Sequence, residues 1–348
     1  DRVPVEISAE NGRLYAGSSR YLENGECDFY GCSGLRNAQL DAYDFDGNLL
    51  ASSSYGSSNI LDIHATADGA LYVLLSADSN PLRKLDADLA PLWQARPDNA
   101  FSCTERQLFV GIDNLYVDCR DGVVEVSASG VVGKGTSFQS LASKRGDDPD
   151  IYEIWAGRSA GAVDAAGNLY MALGRHVFYD ADTSYTRAIG RFILYMPSVL
   201  GSDVVTLKVD RSSGALVWHD DINTPLYAGP DYFTAYYYYP LGVHLSGNNV
   251  KVSFRSYAGQ YTGYAGGNDC FGGGYGGLFN FCERAATVSA YAKIQTYSAA
   301  SGARGNDSRF EIPFPRAVAA TANGSILMAG DNNTDVISRN EEWQYLGG

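Results

Sequence analysis

Two short phrases alternate six times along this 348-residue chain, and no other feature narrows the fold as far. The first phrase is a turn leading into an apolar strand. It reads Asn11-Gly12-Arg13-Leu14-Tyr15, Asp68-Gly69-Ala70-Leu71-Tyr72, Asp113-Asn114-Leu115-Tyr116, Ala166-Gly167-Asn168-Leu169-Tyr170, Ser246-Gly247-Asn248-Asn249-Val250 and Asn323-Gly324-Ser325-Ile326-Leu327. The second phrase answers it downstream: Asp46-Gly47-Asn48-Leu49-Leu50, Asp86-Ala87-Asp88-Leu89 before Trp93, and Asp210-Arg211-Ser212-Ser213-Gly214 before Trp218. Weaker answers are Ser127-Ala128-Ser129-Gly130, Ala300-Ser301-Gly302 and Arg339-Asn340-Glu341 before Trp343. Within the phrases apolar residues alternate, as at Leu71, Val73 and Leu75, which is the period of a strand and not of a helix. Two hairpins per repeat make four strands per repeat, the unit of a β-propeller blade.

The segments Leu85-Asp86-Ala87-Asp88-Leu89-Ala90-Pro91-Leu92-Trp93 and Val209-Asp210-Arg211-Ser212-Ser213-Gly214-Ala215-Leu216-Val217-Trp218 carry a resemblance to a known group. The chain resembles the quinoprotein-like (PQQ-repeat-like) β-propellers along its whole length, through turn residues and apolar strands. The resemblance implies the fold. Members that carry pyrroloquinoline quinone place two adjacent cysteines beside it. No two cysteines are adjacent here, so the cofactor does not carry over.

Successive first-phrase turns, at Gly12, Gly69, Asp113, Gly167, Gly247 and Gly324, stand 57, 44, 54, 80 and 77 residues apart. A four-stranded blade needs about 40–50 residues, so the expectation is an all-β, six-bladed propeller, or alternatively a seven-bladed one, filling residues 1–348 as one domain. A short helix is conceivable near Phe138-Gln139-Ser140-Leu141-Ala142. The innermost strand of the first blade is expected at Val3-Pro4-Val5-Glu6-Ile7 and the outermost of the last at Glu342-Trp343-Gln344-Tyr345-Leu346. Each terminal blade is then complete in itself.

If the strands of a blade are a to d from the centre outward, both phrases turn on one face, and the connections b–c and d–a emerge on the other. The surplus length falls there, at residues 18–37, 174–202 and 256–286 between b and c, and at 133–157 and 219–238 between d and a. These read as long loops on a rigid scaffold, the usual place for binding and catalysis.

Six cysteines form three locally spaced couples, Cys27–Cys32, Cys103–Cys119 and Cys270–Cys282. They read as three disulfides stapling loops of that face, hence an oxidising compartment: secreted, extracellular or periplasmic. The chain opens at Asp1, as a processed mature protein does, shows no signal-peptide pattern and has no apolar run long enough to span a membrane. A formal net charge of −14 argues against nucleic acid or an anionic membrane as partner.

The long-loop face collects tyrosines: Tyr227, Tyr232, the run Tyr236 to Tyr239, Tyr257, Tyr261, Tyr264 and, in a Gly-rich stretch, Tyr275. Tyrosine offers large contact area at low side-chain entropy with a hydrogen-bonding tip, which suits recognition of glycans or protein surfaces. Tyr236, Tyr238, Tyr257, Tyr261, Tyr264 and Tyr275 are therefore the binding candidates, against the plainer reading that they pack loops onto the rim. Histidines 64 and 244 fall in innermost strands. Arg175, His176, Tyr179, His244, Arg255 and Tyr257 make up the kit a polysaccharide lyase needs, with arginine neutralising a uronate carboxylate and His or Tyr moving the proton. No GxSxG elbow or HExxH motif is present. Asp44, Asp46 and Asn48 look like the start of a calcium loop, but every repeat puts Asp, Asn or Gly in this turn, so turn chemistry comes first and calcium second. No other cofactor is expected.

The reading that results is a non-catalytic binding or surface-assembly propeller, self-assembly included, that engages a glycan or protein through its Tyr/Gly-rich loops. The alternative is a carbohydrate-active enzyme working from the same face.

Overall fold

The structure is a computed structural model that describes residues 2–21, 27–28, 31–32, 35–56, 58–76, 78–97, 105–119, 122–141, 151–179, 187–189, 192–194, 198–223, 227–228, 233–261, 286–310, 315–320 and 326–330. These residues are nearly all strand, with a single one-turn 3-10 helix at Gln139–Leu141, where a short helix is expected. They form three four-stranded antiparallel sheets and one nine-stranded sheet, the latter made of two further four-stranded antiparallel sets and the short strand Tyr227–Ala228; the five sets, sheets I to V, each pair their strands a to d in chain order. Sheet I holds Arg2–Glu10, Arg13–Tyr21, Leu35–Asp44 and Leu49–Ser54. Sheet II holds Ile60–Ala65, Leu71–Leu75, Leu82–Leu85 and Pro91–Ala95. Sheet III holds Glu105–Val110, Asn114–Cys119, Gly122–Ser127 and Val132–Ser137. Sheet IV holds Ile151–Val163, Leu169–Tyr179, Ser198–Val209 and Leu216–Ile222. Sheet V holds Phe233–Ser246, Asn249–Tyr261, Ala286–Ser298 and Arg304–Phe310. One further pair, Pro315–Ala320 with Ile326–Gly330, follows.

Turn chemistry sets these hairpins. Asn11 and Gly12 have φ of 51° and 76°, the left-handed pair that a two-residue hairpin needs. In sheet I the c–d turn is tied by Asp44: one carboxylate oxygen accepts from the Asp46 and Asn48 amides at 3.0 and 2.8 Å, the other from Asn48 Nδ2 at 2.8 Å. Asp86 ties the corresponding turn of sheet II in the same way. The would-be calcium ligands Asp44 and Asn48 thus bond to each other within their own turn.

The sheets stack face to face, and each contact between neighbours is a separate core. Leu71, Val73 and Leu75 pack toward Leu40 and Ala42 of sheet I. The alternate residues Tyr72 and Leu74 pack toward Val117 and Leu108 of sheet III. That is why strand b of sheet II is buried at every position. Sheets III and IV meet through Phe109, Val123, Met171 and Leu207, and sheets IV and V through Val204, Trp218, Val252 and Phe254. First strands of successive sheets lie side by side. The Ala65 amide donates to Ser8 Oγ at 2.9 Å, and the Leu108 amide to Asp62 Oδ2 at 2.6 Å. Strand a is inside and strand d outside in each sheet, which is the radial order of a β-propeller. Residues 2–10 form strand a of sheet I, as the expected innermost strand there; residues 342–346 lie outside the described residues.

A repeated latch joins neighbouring sheets. In sheets II, III and IV the fourth residue after the positive-φ residue of the c–d turn lies in strand d and reaches the c–d turn of the next sheet. Trp93 Nε1 donates to Ala128 O at 2.9 Å, and Trp218 Nε1 to Ala299 O at 3.3 Å. Each indole covers a glycine so closely that a Cβ would stand 2.8 Å from Trp93 at Gly130 and 2.5 Å from Trp218 at Gly302. Lys134 takes the same place beneath Gly214 and donates to Ser212 O. Between sheets I and II that position is Ala51. The space is filled from the other side by Leu89, which holds φ of 65° and is 6 % exposed. Arg13 there donates to Ala87 O and to Asp88 Oδ1.

Candidate binding surface on sheets IV and V

Strand b has five residues in sheet II, six in sheet III and nine in sheet I, where strand c has ten, but eleven in sheet IV and thirteen in sheet V. Strand c lengthens in parallel, from four and six residues to twelve and thirteen. The added residues sit at the end away from the short turns, since Leu169 and Asn249 follow their turns just as Leu71 does. Six to eight extra residues project about 20–26 Å at ~3.3 Å per residue. The two projections are joined: Gly201 pairs with Tyr236 and Ser202 with Tyr237 in a short parallel junction. Strands a, b and c of sheet IV thus continue into a, b and c of sheet V as one wall.

The expectation of loops at 174–202, 256–286, 133–157 and 219–238 is corrected in part, where strands are described; residues 142–150 and 262–285 lie outside the described residues. Residues 174–179 pair with 198–203, and 256–260 pair with both 234–238 and 286–291. Ser256-Tyr257-Ala258-Gly259-Gln260-Tyr261 opens the expected loop 256–286. With one glycine in six residues and a partner on each side, it is strand. Residues 133–137, 151–157, 219–222 and 233–238 are likewise strand, as are 18–21 and 35–37 of the first supposed loop.

Tyr236 therefore sits in strand a of sheet V, opposite Ala258 and Gly201, and Tyr257 sits in strand b opposite Tyr237. Tyr261 is opposite Phe233 at the end of that ladder. Tyr238 is half-buried against Phe254, ring centroids 5.4 Å apart. Tyr237 and Tyr239 are buried and stacked at 6.3 Å and 7°. Tyr264 and Tyr275 lie outside the described residues.

The would-be catalytic kit is divided between opposite sides of its strands. Arg175 is buried. It donates to Leu141 O at 2.7 Å, to Asp221 Oδ2 at 3.2 Å, to Asn223 Oδ1 at 3.3 Å and to Asp203 Oδ2 at 3.5 Å. A guanidinium with two carboxylates and two carbonyl oxygens already around it is engaged in joining the 3-10 turn to strands b, c and d. His176, the next residue along the strand, turns to the other side, where Nδ1 meets Ser202 Oγ at 2.6 Å. Arg255 is buried over the Tyr239 ring, 5.0 Å from its centroid. His244 pairs with Lys251 across the ladder, and burial together with the Lys251 charge holds its pKa below the ordinary value. The His64 side chain is exposed on strand a of sheet II. Tyr179 stands opposite Ile151 and Ser198. Asp203, Asp221 and Ser202, the groups that occupy Arg175 and His176, carry no spacing signal in the sequence.

Cys27 and Cys32 face each other in two-residue strands, and Cys119 is disulfide-bonded. Cys103, Cys270 and Cys282 lie outside the described residues. Among the described residues no cluster of three His, Cys, Asp or Glu is placed to hold a metal, and no helix is long and apolar enough to cross a membrane.

No family model matches the chain, and no curated protein does. Solved structures do match in fold. The WD40 domain of Pan2 from Neurospora crassa is 9 % identical, with a TM-score of 0.46 over 94 % of this chain and 72 % of its own. BamB from Moraxella catarrhalis is 12 % identical, with a TM-score of 0.34 over 86 % of this chain and 81 % of its own. A quinohemoprotein alcohol dehydrogenase from Pseudomonas putida is 10 % identical, with a TM-score of 0.37 over 94 % of this chain and 65 % of its own. These neighbours are β-propellers, the two last of the PQQ-repeat-like kind, and the likeness is one of fold.

Proposed function

We propose that the chain is a non-catalytic binding or surface-assembly propeller of six blades, which engages a protein or glycan surface through the joined projection of sheets IV and V. One observation carries this reading: these two sheets have the longest b and c strands of the five, longer than the nine and ten residues of sheet I, and they extend toward the same side and pair with each other. An ordered β-wall loses little conformational entropy when a partner docks, which is the advantage of a preorganised surface. Tyr236, Tyr257 and Tyr261 lie on it, and tyrosine is suited to such contacts. The enzyme reading has less support, because Arg175, His176 and Arg255 are buried against their own neighbours. A secreted or periplasmic setting is supported by the disulfide at Cys119 and the register of Cys27 with Cys32. The test is binding of the full chain to a glycan array and to intact cells, compared with a Tyr257→Ala, Tyr261→Ala variant. Loss of binding in a variant with unchanged melting supports the wall as the surface. Release of unsaturated products from an acidic polysaccharide would replace this reading with the lyase.

A further inference from the structure

Strand d of each sheet is an outer edge, paired among the described residues with strand c alone. An edge strand turns part of its amides and carbonyls away from its neighbour, a template for a further strand, and proteins guard such edges with charges and prolines. Four of the five edges are guarded. Pro91 opens the edge of sheet II, Lys134 lies in that of sheet III, Asp220 and Asp221 in that of sheet IV, and Arg304, Asp307 and Arg309 in that of sheet V. The edge of sheet I reads Leu49-Leu50-Ala51-Ser52-Ser53-Ser54, without a charge or a proline. Leu49 is 57 % and Leu50 47 % exposed, and Ser52 and Ser54 are exposed beside them. All five c–d ladders carry a bulge, so the bulge does not set sheet I apart and the side chains do.

We propose that strand d of sheet I is a self-association edge: it pairs antiparallel with the same strand of a second copy of this chain, joining two four-stranded sheets into one of eight. Charge identifies the occupant. Two copies with a formal net charge of −14 each repel over most of their surfaces. Residues 49–54 are a neutral stretch on which identical strands meet without setting like charges opposite each other. Twofold antiparallel pairing also carries the acidic turn at Asp44 and Asp46 to opposite ends of the joint ladder. A partner recognised by charge would use the acidic surface and not this neutral edge. Main-chain hydrogen bonds supply the attraction, as in other strand additions, and a six-residue contact makes the dimer weak and concentration-dependent. The inference does not use the wall of sheets IV and V, so either can fail without the other.

The test is sedimentation of the full chain over a range of concentrations. The weight-average mass should rise from 37.4 kDa toward twice that value as concentration increases. Added salt should strengthen the association, because it screens the repulsion between the two acidic chains. Leu50→Lys should hold the chain monomeric over the same range. The control is Leu92→Lys on strand d of sheet II, where Leu92 is 56 % exposed; it should associate like the unaltered chain. A chain that stays monomeric throughout overturns the proposal and leaves the edge to another partner. So does association that Leu50→Lys leaves intact, that Leu92→Lys abolishes equally, or that salt weakens. Should Leu50→Lys fail to fold, amide hydrogen exchange of the unaltered chain decides. Exchange of residues 49–54 should slow as concentration rises while that of 91–95 does not, and equal rates at all concentrations refute pairing.

Discussion

Replacing Trp218 with alanine tests the latch where all its parts are described. The indole is 9 % exposed, stacks on Tyr297 at 6.0 Å, meets Tyr170 at 6.2 Å and donates to Ala299 O. Buried Trp→Ala changes cost about 3–5 kcal/mol, the lost hydrogen bond included. At about 2.1 cal/mol/K of unfolding entropy per residue, 4 kcal/mol over this chain lowers the melting temperature by roughly 5–6 °C. The sharper readout is coupling with Gly302. Gly302→Ala strains a residue held at φ of 70° and drives a methyl to 2.5 Å from the Trp218 ring. Strain of about 1–2 kcal/mol and overpacking of about 1–3 kcal/mol should both be felt in the unaltered chain. With Trp218 already alanine, only the strain remains. A urea-denaturation cycle over the four variants should therefore return a coupling of about 1–3 kcal/mol. Strictly additive costs would show that the indole does not pack on that turn.

Three further outcomes follow from local chemistry. Arg175→Met should destabilise by about 3–5 kcal/mol, because the fully buried Asp203 loses its ion pair with the guanidinium; denaturant unfolding that shows no loss would return Arg175 to the list of catalytic candidates. Hydrogen bonds from Ser212 and Ser213 hold the Asp210 carboxyl at a pKa of about 2, below its ordinary 3.8. Its stabilisation is thus complete above pH 3.8 and lost as pH falls through about 2, so the gap in melting temperature between the unaltered chain and Asp210→Ala should shrink over that window. Leu89→Gly relieves positive-φ strain of about 1–2 kcal/mol but empties a buried site worth about 2–5 kcal/mol, so calorimetry should find the glycine variant less stable.

Turns were the most legible part of this protein. Asp-Gly and Asn-Gly pairs announce left-handed backbone whatever surrounds them, and Gly12, Gly47 and Gly69 all hold positive φ. Trp93 and Trp218 were visible as recurring partners of those turns, although nothing in a one-dimensional pattern says that each covers the glycine of the next repeat. The projecting wall was not legible. Strands such as residues 256–260 owe their existence to neighbours 18 to 35 residues away in sequence, and a window on Tyr, Ala and Gly sees only weak local preference. The candidate kit failed for a related reason. Arg175 and His176 are adjacent in sequence, and a strand sends adjacent side chains to opposite sides. Their carboxylate and hydroxyl partners, Asp203, Asp221 and Ser202, become neighbours only through strand register.

The joined wall of sheets IV and V is tested most directly by amide hydrogen exchange of the native chain, read by mass spectrometry. Peptides spanning 174–179 and 256–261 should be protected to nearly the same degree as 169–173, which lies in the blade proper. Exchange there at the rate of an unstructured chain, with 169–173 still protected, would contradict the account and return these segments to loops.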